Sequence, residues 1–338
     1  MSTIRSTILS ASILFSTLLS TPAAAQLDPQ RFLPPIIALI LFEHEEFSCP
    51  ESVAEGQIVT GDQNISSQMQ LDLLDGVTQI DGSLNFSLSI ATNYDLTPLR
   101  SLLEVTGSVN IQNTQLTEMT GFGCLTSIGG DINVSGNLQL ETLTAFDALA
   151  SLLGEIVISG NDDLTRIPEF DALTTLSGDL IIDSNNELAS INGFASLASI
   201  QGDLQIVSNA ALTDFSGFAV LSSVQGELAI LSNNSITNLS GFDALISAGD
   251  VTIGSNPAVL TISALTSLNA ISNDLTILNN SSLTEISGFD LLTSEGVSGD
   301  SLIVFNVEYD CTNPAPTFSP VTTSTGNFMD CVTSSDAG

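Results

Sequence analysis

The stretch GDLQIVSN at residues 202–209 decides the fold, because it recurs along the chain at a nearly constant interval. It reappears as GDLIIDSN at residues 178–185 and as GELAILSN at residues 226–233. The glycine that opens each copy, replaced once by asparagine, recurs with spacings of 23 to 26 residues. The series is Gly82, Gly107, Gly130, Gly154, Gly178, Gly202, Gly226, Gly249, Asn273 and Gly299. Self-similarity at such a period is the sequence signature of a repeat protein.

The rest of each unit is equally regular, as in LTDFSGFAVLSSV at residues 212–224. The whole unit follows the pattern G-D-L-x-I-x-x-N-x-x-L-T-x-I-x-G-F-x-x-L-x-x-I-x. Alternating apolar residues predict short strands, and the Gly and Asn positions between them predict turns. One unit buries too little apolar surface to offset the entropy of ordering its own backbone. The units must therefore stack, which predicts an all-β, parallel β-helix-like solenoid of about ten 24-residue turns.

Stacking places equivalent residues in columns, and two of these columns are predicted to be structural. We expect the asparagines to share one corner, where each amide bonds backbone groups of the adjoining turn. They are Asn93, Asn113, Asn137, Asn161, Asn185, Asn209, Asn233, Asn256, Asn280 and Asn306. The phenylalanines form the second column, with Leu265 replacing one of them. They are Phe122, Phe146, Phe170, Phe194, Phe218, Phe242 and Phe289.

The phrase L-x-I-x-x-N is similar to leucine-rich repeats, but the Gly-Asp start and the G-F-x-x-L-x-x-I half resemble more closely the receptor L-domain family. That family includes the ligand-binding L domains of growth-factor receptors and related surface proteins of fungal cell walls. The resemblance covers about residues 82–306 and rests on periodic core positions. It implies a right-handed coil and a binding or wall-associated role outside the cell.

The N-terminus is typical of a secretory signal peptide over residues 1–25. Arg5 precedes an apolar run at residues 8–19, and small residues stand before Gln26, where cleavage would occur. We therefore expect an exported protein, located extracellularly, at the cell surface or in the periplasm. Neither a transmembrane tail nor a lipid-anchor signal is expected at the C-terminus.

Both ends of the repeat region, residues 82–306, are predicted to be capped, because exposed strand edges invite pairing with other chains. Residues 26–81 form the predicted N-terminal cap and include a degenerate first turn at residues 71–80. Residues 307–338 form the predicted C-terminal cap. The apolar stretch at residues 32–42 is too short to span a bilayer, so it either packs on the solenoid or contacts a membrane at its interface.

Four cysteines fit an oxidising compartment, and they allow three pairings. We favour Cys311 with Cys331, which closes a Pro/Thr/Ser-rich loop, and Cys49 with Cys124 by elimination. The cysteines show no Cys-x-x-Cys spacing, and His44 is the sole histidine, so neither a zinc site nor a thiol redox centre is predicted.

The charge balance excludes two classes of partner. The chain has 38 acidic residues against 4 Lys plus Arg, and its formal net charge is −34. Affinity for nucleic acid and for anionic lipid comes chiefly from Lys and Arg, so neither is an expected partner. Because 43% of the residues are hydrophobic, the chain can nevertheless bury a large core.

Carboxylates next to the turn glycines form a third column, which is the candidate metal site. Its members are Asp131, Glu155, Asp179, Asp203, Glu227, Asp250, Asp274 and Asp300. Stacked carboxylates repel one another, so something must offset the repulsion. Two interpretations stand. Backbone N–H groups at each turn donate hydrogen bonds to the carboxylates and offset the repulsion, or calcium bridges the carboxylates of neighbouring turns. No other cofactor is predicted.

Apolar residues at outward strand positions form the candidate partner surface. They are Val157, Ile181, Val207, Leu231 and Leu278. Coverage by the segment at residues 32–42 and self-association are the alternative interpretations of this stripe.

No catalytic set is predicted. A lone histidine in a cap excludes a Ser-His-Asp triad, and no glycine-rich phosphate-binding loop is expected because the glycines belong to the repeat. The leading hypothesis is a non-enzymatic exported protein that binds a protein or glycan. The alternative hypothesis is a structural or adhesive envelope component whose acidic column binds calcium.

Overall fold

The computed structural model describes residues 48–88, 94–289, 291–292, 297–298 and 301–304. The chain divides into the units Met1–Ser48 and Cys49–Gly338, and every element named below lies in the second unit. The prediction of an all-β parallel solenoid is confirmed, since the described strands pair in parallel with about 24 residues per turn. Helices in the described ranges are few and short: the α-helix Gln68–Asp72 and the 3-10 helices Val53–Glu55, Thr97–Ser101 and Ser216–Phe218.

The longest strands stack into one sheet, here called the long-strand sheet, in which each strand pairs with its equivalent in the next turn. In order, its described strands are Gln63–Ile65, Leu84–Phe86, Val109–Gln112, Ile132–Ser135, Ile156–Ser159, Leu180–Asp183, Leu204–Val207, Ser223–Leu231, Ser247–Gly254, Leu275–Leu278 and Ser301–Val304.

Shorter strands line two further sides of each turn. The second side, the short-strand sheet, contains Gln57–Thr60, Val77–Asp81, Glu104–Val105, Ser127–Ile128, Ser151–Leu152, Thr175–Leu176, Ser199–Ile200, Ala270–Ile271 and the first residues of Ser223–Leu231 and Ser247–Gly254. The third side contains the pairs Glu118–Met119 with Thr142–Leu143 and Thr261–Ile262 with Glu285–Ile286, together with the isolated bridges Arg166 to Ser190 and Ser190 to Asp214.

Alternation in the sequence explains the strands of the long-strand sheet. In strand Leu180–Asp183 the first and third side chains are buried and the second and fourth are half-buried. Ile182 pairs with Ile158 in the preceding turn and with Ile206 in the following turn. Because the period matches one turn, a buried position always lies beside another buried position. The result is one continuous hydrophobic core.

The predicted phenylalanine column is confirmed as the centre of this core. Its described rings from Phe122 to Phe242 are buried and stack with centroids 5.0–5.8 Å apart and interplanar angles of 5–16°. Leu265 is fully buried where the column lacks its ring. Such large side chains supply much of the apolar burial that holds adjacent turns together.

The asparagine column is a continuous hydrogen-bond ladder. Its described members, Asn137, Asn161, Asn185, Asn209, Asn233, Asn256 and Asn280, are fully buried. Each Nδ2 donates to a strand carbonyl of the preceding turn at 2.8–3.0 Å. From Asn137 to Asn256, each backbone N–H donates to Oδ1 of the next asparagine at 2.9–3.1 Å. The predicted bonding of amides to adjoining turns is therefore confirmed.

The placement of Asn113 in that ladder was wrong. Asn113 is exposed, and the buried position is taken by Thr114, whose N–H and Oγ1 both donate to Asn137 Oδ1. Asn113 belongs instead to a column of residues with positive φ, which turn the chain out of each long strand. Its described members are Asn113, Gly136, Gly160, Ser184, Ser208, Ser232, Ser255 and Asn279, with φ between 51° and 68°. The 23-residue spacing from Thr114 to Asn137 hid this one-residue offset.

Close approach between turns explains the glycine that opens each unit. A Cβ on Gly178 would lie 2.6 Å from the carbonyl oxygen of Gly154, and on Gly202 it would lie 2.7 Å from the carbonyl carbon of Gly178. Real Cβ atoms do not approach backbone so closely, so Gly178 and Gly202 cannot be replaced without a backbone shift, although Asn273 occupies the equivalent position in one turn.

Parallel pairing begins upstream of Gly82, because Gln57–Thr60 and Gln63–Ile65 already pair with the next turn. These strands lie within residues 26–81, the predicted cap and degenerate first turn. The predicted signal peptide, the apolar segment 32–42 and the cap at 307–338 lie outside the described residues, as do Asn93, Asn306, Asp300, Cys311 and Cys331. The right-handed sense of the coil stays a prediction.

Candidate binding face

The side of the long-strand sheet that faces away from the core, here called the outer face, carries two columns of side chains from the second and fourth strand positions. The first outer column contains Asn64, Asn85, Asn110, Asn133, Val157, Ile181, Gln205, Ala229, Thr252 and Thr276. The second outer column contains Gln112, Ser135, Ser159, Asp183, Val207, Leu231, Gly254 and Leu278. Neighbours in a column are about 4.8 Å apart, the spacing of paired strands.

The predicted partner residues all lie on the outer face, but in different columns. Val157 and Ile181 belong to the first outer column, whereas Val207, Leu231 and Leu278 belong to the second. All five are half-buried. The apolar patch therefore runs diagonally across the turns, and it is wider than the single stripe that the sequence suggested.

The apolar patch continues across Gly254, which has no side chain of its own. A Cβ placed on Gly254 would lie 3.1 Å from Leu231 Cδ2 and 3.1 Å from Leu278 Cγ. The two leucines thus lean over the glycine from either side. The apolar surface is continuous across the turn that lacks a side chain.

Amides, which the sequence analysis missed as a group, occupy the N-terminal part of the outer face. Asn110 Nδ2 donates to Asn85 Oδ1 at 2.8 Å, and Asn85 Nδ2 donates to Asn64 Oδ1 at 3.1 Å. A groove of about 550 Å³ adjoins these amides. The available signal was the recurrence of Asn at the second strand position, from Asn64 to Asn133.

The acidic column lies at the edge of the outer face, next to the turn glycines. Where the member is aspartate, its Oδ1 accepts a hydrogen bond from the N–H of the next member at 2.8–3.1 Å. The donor and acceptor pairs are Glu155 and Asp131, Asp203 and Asp179, Glu227 and Asp203, and Asp274 and Asp250. Backbone N–H groups therefore partly compensate this line of negative charge.

The same relay continues upstream through residues that the sequence analysis did not single out. Asp62 Oδ1 accepts from Ser83 N–H at 2.8 Å, Ser83 Oγ accepts from Ser108 N–H at 3.1 Å, and Ser108 Oγ accepts from Asp131 N–H at 2.9 Å. A serine hydroxyl does here what a carboxylate does further along. A short polar acceptor therefore recurs at this position, except in the turns where glutamate occupies it.

Glutamate differs from aspartate in this column. The longer side chain of Glu227 reaches across to Thr252, whose Oγ1 donates to Oε1 at 2.6 Å. Burial raises the pKa of Glu155 above its ordinary value, and the carboxylates of Asp131 and Asp179 in the flanking turns raise it further. The column therefore carries residual repulsion around Glu155.

The described carboxylates of the acidic column do not form a metal site by themselves. Within the described ranges, no group of three or more His, Cys, Asp or Glu side chains is arranged to hold a metal ion. Calcium bound between neighbouring turns stays a proposal, taken up below.

A second, smaller cleft of about 180 Å³ lies on the third side around Arg166. Arg166 forms an exposed ion pair with Glu169 at 3.5 Å, and Asp147 also lines the cleft. An exposed pair of this kind contributes little to stability.

One disulfide joins Cys49 to Cys124, with their Cα atoms 5.4 Å apart. This is the pairing that elimination predicted. It ties the start of the described chain to the turn that carries Phe122, across a sequence separation of 75 residues.

The comparisons with known proteins bear on this solenoid. A family model described as Receptor L domain matches residues 76–171. The predicted resemblance is confirmed over that segment, which covers the turns from Val77 to the ring of Phe170. Receptor L domains are typically extracellular and bind ligands, which agrees with the disulfide. Neither the comparison with curated proteins nor the comparison with solved structures gives a match. In the described part of the chain, no helix has the length and apolar character needed to cross a bilayer.

Proposed function

We propose that the protein is a non-enzymatic, exported binding protein that holds a protein or glycan on its outer face. The observation that carries the proposal is the outer face itself, where an apolar patch and an amide array share one continuous sheet. Parallel pairing on both sides of each strand fixes these side chains before a ligand arrives, which reduces the entropic cost of binding. The match to the Receptor L domain over residues 76–171 supports the same class of function.

The apolar patch supplies the affinity in this proposal. Its half-buried side chains still expose apolar surface, and a partner that covers them gains burial free energy of about 25 cal/mol per Å². The acidic column runs along one edge of the outer face, and the chain has a formal net charge of −34, which disfavours acidic partners.

A paired substitution tests the proposal. Val207→Ser with Leu231→Ser should abolish capture of a protein ligand in pull-down assays while leaving thermal unfolding nearly unchanged. Leu153→Ser is the matched control, because Leu153 is 66% exposed and lies beside the short-strand sheet, away from the outer face. Loss of folding in the double variant, or equal ligand capture by it and by the control, would contradict the proposal. Concentration-dependent self-association that the double variant abolishes would identify a second copy as the occupant.

The second candidate function is a structural or adhesive envelope component whose acidic column takes up calcium. The raised pKa of Glu155 favours it, since a cation between the turns would relieve the repulsion from Asp131 and Asp179. A rise in melting temperature with millimolar calcium, reversed by chelator and absent in Asp179→Asn, would support it. An unchanged melting temperature would eliminate it.

A further inference from the structure

A groove on the outer face is lined by polar, uncharged side chains together with Phe86. It has a volume of about 550 Å³, within the usual range of roughly 300–1,000 Å³ for ligand pockets. Its lining residues are Asn85, Phe86, Ser87, Asn110, Gln112 and Asn113. None of these described residues is charged, although the chain carries a formal net charge of −34.

The polar groups of this lining are carboxamides and a hydroxyl. A carboxamide donates two hydrogen bonds and accepts two through its oxygen. Ligand hydroxyls, which both donate and accept, match such groups one for one. An ionic ligand would find no counter-charge among the described lining residues and would be desolvated at a cost. The lining therefore favours a neutral ligand that is rich in hydroxyl groups.

The amides are held in place before any ligand binds. The bonds from Asn110 to Asn85 and from Asn85 to Asn64 use one N–H of each donor amide and fix its orientation. The second N–H of Asn110 and of Asn85 remains for a ligand. Groups oriented in advance lose less entropy on binding, so a linear ligand could pair with successive turns.

The next amide of the first outer column, Asn133, has an unfilled hydrogen bond. Asn133 Oδ1 is buried and, among the described residues, it is the buried side-chain polar atom that has no hydrogen-bond partner. Asn133 pairs in register with Asn110 on one side and with apolar Val157 on the other. An unpartnered buried acceptor is costly, so a reorientation of this amide toward a ligand hydroxyl would be favourable.

We infer that this groove binds a neutral oligosaccharide through Asn85, Asn110 and Gln112. The inference rests on the proposed binding function, and it assigns the glycan to the amide part of the outer face. The apolar patch around Val207 and Leu231 is then a separate contact surface.

Calorimetric titration of the full chain with neutral hexasaccharides of glucose, mannose, galactose and N-acetylglucosamine tests the inference. At least one should bind, while a hexamer of uronic acid should not. Asn110→Ala and Gln112→Ala should each weaken binding by roughly tenfold or more, through the lost hydrogen bonds. Binding should change little between about 50 mM and about 500 mM salt, since the ligand is neutral.

Two controls make the result decisive. Asn186→Ala removes an exposed amide outside the outer face and should leave saccharide affinity unchanged. The Val207→Ser, Leu231→Ser variant should also keep saccharide binding. No binding of any neutral hexasaccharide, or equal binding by wild type, Asn110→Ala and Gln112→Ala, would overturn the inference. If the apolar variant still loses a protein ligand in that case, the proposed binding function survives without the glycan.

Discussion

The side-chain amide of Asn209 donates to the carbonyl oxygen of Ile182 in the preceding turn, 2.9 Å away. The same amide donates to Val207 O at 3.0 Å, and its Oδ1 accepts the N–H of Asn185 at 3.1 Å. One buried side chain thus satisfies backbone groups of two turns at the corner where the strand ends. Buried backbone groups left without partners are costly, so asparagine is favoured at this corner, where Thr114 is an exception.

Asn209→Ala should destabilise the protein by about 3 kcal/mol, because it leaves Ile182 O and Asn185 N–H buried without this partner. Thermal and urea unfolding monitored by circular dichroism measure the loss. The exposed neighbouring amide provides the comparison, since Asn186→Ala should change stability by less than about 0.5 kcal/mol. Equal losses in the two variants would contradict a structural ladder.

Phe194→Ala should cost about 3–5 kcal/mol, because it opens a cavity between two rings of the stacked column. Phe194→Leu should cost roughly 2 kcal/mol, since leucine retains most of the buried volume and Leu265 already fills an equivalent position. Urea unfolding would give both values. A leucine variant no more stable than the alanine variant would show that ring stacking, beyond burial, is required.

Ser208 has φ of 57°, in the left-handed region, and glycine or asparagine occupies the same position in other turns. Ser208→Val should destabilise by about 1–2 kcal/mol, because a β-branched side chain is strained there. Ser208→Asn should be nearly neutral. Melting temperatures of the pair distinguish backbone strain from loss of a polar group, since only strain predicts this difference.

Replacing Cys49 and Cys124 together by alanine should lower stability by about 4 kcal/mol, because the bond restricts a long loop in the unfolded chain. The comparison is unfolding of wild type with and without reductant. Reductant should lower the stability of wild type, and its effect on the double variant should be smaller. A double variant as stable as oxidised wild type would contradict the stabilising role of this bond.

Glu155→Gln should make the protein more stable near neutral pH. The pKa of Glu155 is raised by burial, with Asp131 and Asp179 adding to the shift, so the fold favours the protonated form. Stability from this group is present at low pH and is lost as pH rises through the raised pKa. The gain in melting temperature should therefore shrink as pH falls below the ordinary pKa of glutamate. Glu141→Gln, at an exposed site elsewhere, is the control, and a gain independent of pH would contradict the electrostatic origin.

Much of the fold was predictable because the repeat states its own register. The spacing from Ile158 to Ile182 is one turn, and the structure pairs these residues directly. The apolar partner residues were also correctly assigned to outward positions. Their division between two outer columns was not predicted. Val157 is the second residue of its strand and Val207 is the fourth, and both positions point outward in the repeat pattern.

The amide groove was not predicted for a different reason. Asn85 and Asn110 are 25 residues apart and Asn110 and Asn133 are 23 apart, so a regular count blurs the column. Asparagine is also abundant at the buried corner, so the presence of asparagine alone does not identify the outer face. Only the pairing of strands places Asn85, Asn110 and Gln112 around one groove.

By itself the sequence determined the period, the inward positions and the acidic character, because each is a property of residue order and type. Tertiary structure decided which residues at different phases of the repeat become neighbours, and how carboxylates and amides share their hydrogen bonds. Asp131 shows the difference: its place in a column follows from spacing, but its bond to Glu155 N–H depends on how two turns settle against each other. Contacts between turns arise from packing in three dimensions, and small changes in turn length shift them by a residue without altering the pattern that the sequence displays.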